Sequence, residues 1–250
     1  MKRLTLLRTL LFPPRCQGCG KRVFETSAFC AACALRFERE MRTQCPDCFL
    51  EYASCRCMPN AMKRARMEML LKLTPYTESA GGRITRRAVL RMKKRPSERL
   101  LAFFAEELGA TLRAALEEQR DREDDRPAIT TVLAWIPRSR KSAKQHGFDQ
   151  AELLARAVAR ETGLAAVPLL KRRRDGAQQK QLSASARLQN LRGAFALNED
   201  ARGLRVILVD DVVTTGASMV EGARLLRRGG AHSVWGLCIA ATERRTKRGP

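Results

Sequence analysis

Arg205-Val-Ile-Leu-Val-Asp-Asp-Val-Val-Thr-Thr-Gly-Ala-Ser-Met219 is an apolar run that ends in two adjacent carboxylates and a loop of small and hydroxyl residues. A short continuous apolar run such as Val206 to Val209 reads as a strand buried on both faces, the habit of parallel sheets. The loop Thr214-Thr215-Gly216-Ala217-Ser218 leads straight into a helix-forming segment. Such a loop presents backbone N–H groups and hydroxyls to an anion, with the helix dipole behind them. Carboxylates at a strand end suit sugar hydroxyls or a divalent cation. Asp210 and Asp211, followed by this loop, therefore suit a phosphorylated sugar.

Around that stretch, strand and helix patterns alternate. Thr130 to Ile136 reads as a strand, Asp149 to Glu161 as a helix, and Val167 to Leu170 as a second strand. Ser183 to Leu191 reads as a helix or lid, Arg205 to Val209 as the third strand, Ala217 to Arg228 as a helix, and Val234 to Ala240 as the last strand. Alternation of this kind argues for an α/β fold with a parallel, Rossmann-like sheet and right-handed crossovers. Ligands of such sheets sit beyond the carboxyl ends of the strands, where Asp210 and Asp211 are expected. Upstream, a basic helical stretch runs from Arg86 to Lys94-Arg95-Pro96. Ser97 then caps a helix whose Leu100, Leu101, Phe103, Phe104, Leu108, Leu112 and Leu116 fall near a 3.6-residue period. The charged run Glu117 to Arg126 reads as a solvated helix end or surface insertion.

Eight of the nine cysteines precede residue 58, as the pairs Cys16/Cys19, Cys30/Cys33, Cys45/Cys48 and Cys55/Cys57. Closely spaced cysteines on tight turns chelate a tetrahedral ion, and four thiolates complete a structural zinc site. Gly18 and Gly20 give the first pair the turn freedom it needs. The spacing allows two zinc ions, paired sequentially or interleaved, and equally one ion with four bystander cysteines. A disulfide framework needs an oxidising compartment that nothing else in the chain supports. An all-cysteine ligand set leaves no open catalytic position. Cys238, within the apolar run Val234 to Ala240, reads as a small core residue. The chain thus divides into a Cys-rich zinc-binding module at 1–60, a loop-rich joint at 61–84, and an α/β domain at 85–250. Metal is expected to supply much of the module's folding energy.

The 250 residues suffice for one good core and a smaller satellite. The net charge of +22 favours anionic partners, but it is spread over both halves and marks out no single basic domain. Aromatic residues make up 5%, which leaves few stacking platforms for single-stranded nucleic acid. Met1 to Phe12 is interrupted by Arg8 and lacks a small-residue cleavage site before Pro13-Pro14, so an amphipathic lead-in helix is expected rather than a signal peptide. Nothing else approaches a membrane span, and a cytoplasmic location is expected.

Two further loops are placed to meet the acid pair. After the strand ending at Ile136 comes Pro137-Arg-Ser-Arg-Lys-Ser-Ala-Lys-Gln-His-Gly-Phe-Asp-Gln150, with Arg138, Arg140, Lys141, Lys144 and Gly147 just before a helix. After Leu170 come Lys171 to Arg174, Gln178-Gln179-Lys-Gln-Leu182, Arg187, Asn190 and Gly193-Ala-Phe195. Each alone reads as a solvated basic face. Together, at the strand ends feeding one crevice, they suit a pyrophosphate.

Val206 to Ser218 resembles the phosphoribosyl-pyrophosphate (PRPP) motif of type I phosphoribosyltransferases. With the cysteine pairs, the chain is similar to the ComF family, which includes ComFC and GntX-like proteins. The likeness rests further on Pro137, Arg138, Arg140, Gly147, Phe148 and Gln150, and on Gln179, Leu182, Arg187, Asn190, Gly193, Ala194 and Phe195. The pattern departs at His146 for Arg, Asp149 for Asn and Gly176 for Thr. His146 lacks the fixed charge of the arginine it replaces and fits a pyrophosphate poorly.

The resemblance implies a type I phosphoribosyltransferase domain at 85–250 behind an N-terminal zinc finger. It implies that Asp210 and Asp211 hold the ribose hydroxyls and are the catalytic pair, and that Thr214, Thr215, Gly216, Ala217 and Ser218 wrap the 5′-phosphate. Arg138, Arg140, Lys144, Gly147, Gln179 and Arg187 would serve pyrophosphate as loop or lid, with Mg²⁺ between the pyrophosphate and the sugar. The implied activity is phosphoribosyl transfer with release of pyrophosphate, to an acceptor that no motif identifies. The family's competence members imply a link to DNA uptake and transformation, with single-stranded DNA or the uptake machinery (a helicase, a recombination mediator) as partners. The alternative is a non-catalytic, zinc-containing protein that binds single-stranded DNA or senses PRPP or a nucleotide.

Overall fold

The computed structural model describes residues 13–23, 27–77, 83–122, 128–139, 144–173, 189 and 191–242. Its centre is a five-stranded, all-parallel sheet. In chain order the elements are α1 (Ala31–Met41), α2 (Asn60–Arg64), β1 (Leu70–Tyr76), α3 (Ile84–Lys94), α4 (Glu98–Arg122), β2 (Thr131–Trp135) and α5 (Gln150–Thr162). There follow β3 (Ala165–Ala166), β4 (Leu170–Arg172), β5 (Phe195–Leu197), β6 (Arg205–Val213), α6 (Ala217–Arg228) and β7 (Ser233–Thr242). The sheet order is β1-β7-β6-β2-β3, and β4 and β5 form a separate antiparallel pair.

Alternation of side chains along the central strands builds two cores. Ile207 and Val209 of β6, with Trp235 and Leu237 of β7, face Leu108 and Leu112 of α4 and Leu154 and Val158 of α5. Val206 and Leu208, with Val234 and Cys238, face Val220, Ala223 and Leu226 of α6. Cys238 is thus a core residue, and its buried thiol is pushed up to about 12. Helices on both faces follow from strands that are apolar on both faces.

The crossover β2–α5–β3 runs toward one edge of the sheet and β6–α6–β7 toward the other, so the chain reverses its winding between β2 and β6. A crevice opens at such a switch point, at the carboxyl ends of the two strands. Here the β2–β6 ladder stops at Trp135↔Val209, while β6 stays paired with β7 as far as Val213↔Ala241. Asp210 and Asp211 therefore stand within β6, on a stretch that has lost its β2 neighbour.

The structure corrects three expectations. Residues 61–84, expected to be a loop-rich joint, hold part of α2 and all of β1, which pairs with β7 as an edge strand. Its Lys72 is 3% exposed and donates to the carbonyls of Cys55 (3.0 Å) and Cys57 (2.8 Å), while Pro75 is tolerated because an edge strand has a side without a ladder. Val167 to Leu170 is not one strand of the main sheet: Pro168 lies between β3 and β4, and β4 turns away to pair with β5. β6 runs four residues beyond the expected Val209. The helix from the Ser97 cap forms as read, with Leu100 N donating to Ser97 Oγ at 3.2 Å. The lead-in segment at 1–12 and most of Ser183 to Leu191 lie outside the described residues.

The cysteine module is joined to the main core. Phe29 and Phe37 meet Phe103 of α4 edge-on, with centroids 4.9 and 5.0 Å apart, and Phe37 is 1% exposed. Phe104 completes this junction, with its centroid 5.9 Å from that of Phe37 and 5.7 Å from that of Phe103. Among the described residues, no helix is long and apolar enough to cross a membrane.

Candidate functional site

β6 delivers the acid pair. Asp211 is 3% exposed; its Oδ1 accepts from Val212 N (2.7 Å) and its Oδ2 from Gln150 Nε2 (2.9 Å). Lys93 Nζ, at the end of α3, lies 3.2 Å from the same Oδ2. Asp210 Oδ1 accepts from Asp211 N at 2.8 Å. Burial, then the Asp211 charge beside it, push the Asp210 carboxyl well above the ordinary range. Burial works against the Lys93 charge, but Asp211 and Asp210 outweigh it and its pKa is raised. Gln150 Oε1 is buried beside Asp211 with no hydrogen-bond partner among the described residues. A buried acceptor left without a donor is costly unless a hydroxyl, a water or a cation meets it. That oxygen beside the Asp211 carboxylate fits both a polyol and a hard cation with oxygen ligands.

The loop beyond β6 forms the second half. Thr214 is exposed and Thr215 half-buried, and Ala217 N points at Thr215 Oγ1 (3.4 Å). Gly216 adopts φ +74 at the N-cap of α6 and supplies no side-chain cap. A Cβ there would meet Met62 Sδ at 3.0 Å, so the loop is seated on α2. Small residues at a helix N-terminus leave its first N–H groups to an anion.

The loop after β2 is held by Asp149. Its Oδ1 accepts from Ala151 N (3.0 Å) and Glu152 N (3.4 Å), capping α5, while Oδ2 accepts from Arg138 N at 2.7 Å. Burial raises the Asp149 pKa although these N–H groups oppose the shift. Arg138 donates to Phe148 O (3.3 Å) and lies over the Phe148 ring at 5.5 Å. Arg172 of β4 donates to Pro137 O at 3.2 Å, tying the small sheet to the same loop. Lys144 and Gly147 (φ +75) are exposed. Arg140, Gln179 and Arg187 lie outside the described residues. Lys93 carries no signal of its own in the sequence, where Lys93-Lys94-Arg95 reads as a uniform basic run.

The eight N-terminal cysteines form two clusters paired in sequence order: Cys16, Cys19, Cys30 and Cys33, then Cys45, Cys48, Cys55 and Cys57. Within each, the sulfurs lie within 4.8 Å of one another. Both clusters open on the same small hairpin. Cys16 N donates to Lys21 O and Gly20 N to Cys16 O, and Cys45 N donates to Leu50 O and Phe49 N to Cys45 O. Backbone N–H groups reach the sulfurs of Cys16 (3.2 Å) and Cys55 (3.4 Å). Burial works against a Cys16 thiolate, yet N–H groups around it bring its pKa down to about 6; burial pushes Cys57 up to about 12. All nine cysteines are free of disulfides.

Comparison with known proteins agrees with this geometry. The phosphoribosyl transferase domain family matches residues 149–249. DNA utilization protein YhgH of Salmonella typhimurium is 32% identical over 221 residues, 85% of this chain and 90% of that protein. Competence protein F of Haemophilus influenzae is 38% identical over 102 residues, 38% of this chain and 44% of that protein. Competence protein ComFC of Bacillus subtilis is 27% identical over 211 residues, 82% and 80% of the two chains. The chain belongs to the ComF family. It carries a phosphoribosyltransferase fold, and the domain match begins at Asp149, the cap of α5. The cysteine clusters and Lys93 precede that match.

Proposed function

We propose that this ComF-family chain binds PRPP with Mg²⁺ at the carboxyl ends of β2 and β6, and transfers its phosphoribosyl group with release of pyrophosphate. The observation that carries the reading is the conjunction, at one switch point, of the Asp210-Asp211 pair, the orphaned Gln150 Oε1 and the Thr214–Ser218 loop. The acid pair would hold the ribose hydroxyls, and the loop with the N-terminus of α6 would hold the 5′-phosphate. Mg²⁺, when bound, would neutralise charge on the pyrophosphate; Asp210 and Asp211 are the residues that would hold it. The C1–oxygen bond to pyrophosphate breaks and a bond from C1 to the acceptor forms. Arg138 and Lys144, with Arg140, Gln179 and Arg187, would offset the charge that develops on the leaving group. One of the two carboxylates would take the acceptor's proton.

Each cysteine cluster would hold one structural zinc ion. Zinc–sulfur bonds of about 2.3 Å in a tetrahedron place sulfurs about 3.8 Å apart, and the Cys19–Cys30 and Cys48–Cys55 sulfurs are separated by 3.8 and 3.5 Å. The relatives' names, DNA utilization and competence, support a place in the handling of DNA taken up from outside. A second reading, favoured by the +22 charge, is single-stranded DNA binding without turnover. Pyrophosphate release from PRPP and Mg²⁺, screened against bases, amines and DNA with abasic sites, separates the two. The transferase reading expects release that is abolished by Asp210→Asn with Asp211→Asn. DNA binding without any release in the presence of every acceptor favours the second.

A further inference from the structure

Lys93 lies on an element outside the matched domain, yet it reaches the centre of the site. Asp211 Oδ2 receives both Lys93 Nζ at 3.2 Å and Gln150 Nε2 at 2.9 Å, and the Asp211 side chain is 5% exposed against 36% for Lys93. We propose that Lys93 is a positioning residue of the sugar-binding pair: its ammonium fixes the Asp211 carboxylate in one orientation and offsets its charge, so that ribose hydroxyls meet a preformed receptor. The proposal rests on the sugar-phosphate reading above.

Lys93 is carried by a helix that is itself firmly placed. Ile84 N and Thr85 N, the first N–H groups of α3, both donate to the Glu40 carboxylate of α1. Arg91 Nη1 donates to the carbonyl of Cys16, in the first cysteine knuckle. Ile84, Ala88, Val89 and Met92 are buried in the core shared with α4 and β1. Lys93 follows Met92 directly and emerges where β6 has lost its β2 neighbour. A lysine whose pKa is raised is a permanent cation, so a role as proton acceptor is excluded and charge and hydrogen bonding remain. Two neighbouring carboxylates repel one another, and a fixed cation on the more buried one lowers the cost of keeping both at the site. Lys94, the next residue, is exposed and serves as the control.

The test is calorimetric titration of the full, zinc-loaded chain with PRPP–Mg²⁺ and separately with ribose 5-phosphate, using wild type, Lys93→Met, Lys93→Arg and Lys94→Met. Positioning through Asp211 acts on the sugar, so Lys93→Met should weaken both ligands by about ten-fold or more, the effect of losing one hydrogen bond to a charged group. Lys93→Arg should restore most of that loss, and Lys94→Met should bind as wild type. Thermal melts establish that each variant is folded at the titration temperature. Should Lys93→Met fail to fold, Lys93→Gln takes its place; it removes the charge but keeps a donor, so a smaller weakening of both ligands is expected. Unchanged affinity for both ligands overturns the proposal. A loss confined to PRPP also overturns it, since that marks a direct contact with pyrophosphate. If wild type binds neither ligand, it is the sugar-phosphate reading that fails.

Discussion

Replacing Glu40 by alanine removes the shared acceptor of Ile84 N and Thr85 N, two residues that are each 1% exposed. A buried donor left without a partner costs about 1–3 kcal/mol. The first turn of a helix admits some water, so the lower half of that range applies, about 2–4 kcal/mol for the pair. In a chain of this size each kcal/mol moves the melting temperature by about 2–4 °C. Glu40→Ala should therefore melt roughly 5–15 °C below wild type. Glu40→Gln keeps one acceptor oxygen and should show about half that drop. The assay is thermal unfolding of the zinc-loaded chain by circular dichroism, paired with PRPP titration at a temperature where all three proteins are folded. Because α3 carries Lys93 to Asp211, PRPP affinity should fall in the same order, wild type above Gln above Ala. A Glu40→Ala protein that melts within about 2 °C of wild type would refute the reasoning, because no cap of two buried N–H groups is that weak.

Gly216→Ala forces an alanine to φ +74 and brings its Cβ to 3.0 Å from Met62 Sδ; strain of about 1–2 kcal/mol should lower the melting temperature by about 2–8 °C and PRPP affinity with it. Equal affinity and stability would show that the loop does not need this conformation. Zinc analysis should give two ions per chain, and Cys16→Ser and Cys55→Ser should each lower that to one; either variant losing both ions would contradict two independent clusters. Asp149 gives a pH test. Its folded pKa is raised, so its contribution to stability is full below the unfolded value and is lost as pH rises through the folded value. Asp149→Asn removes that loss but also the acceptor for Arg138 N. Melts across pH 4 to 7, the window just above an ordinary aspartate pKa of about 3.9, should find the variant gaining on wild type as pH rises; a constant gap would oppose the assignment.

The elements legible in the sequence are those whose local and tertiary demands agree. Val206 to Val209 is apolar on both sides because helices cover both faces, and Ala217 to Arg228 keeps one buried stripe, so both read directly. β1 was hidden by Lys72 and Pro75, which local rules exclude from a strand. Only the fold supplies Lys72 with the Cys55 and Cys57 carbonyls and leaves Pro75 on an edge. The spacing of the cysteines allows interleaved and sequential pairing alike; the bonds from Gln17 N to Ala28 O and from Cys55 N to Glu51 O, which draw the second pair of each cluster onto the first, select sequential pairing. At the site, Asp210, Asp211 and the Thr214–Ser218 loop are contiguous and could be read as a unit. Lys93 is more than a hundred residues from Asp211 and differs from Lys94 only in which way it faces. No local pattern separates the two.

Titration of the full chain with PRPP in the presence of Mg²⁺, for wild type and for the variant with Asp210→Asn and Asp211→Asn, tests the central claim most directly. The site described here predicts saturable binding of one PRPP per chain that the double substitution removes. Heats indistinguishable from dilution in the wild type, or binding that survives the loss of both carboxylates, would contradict it.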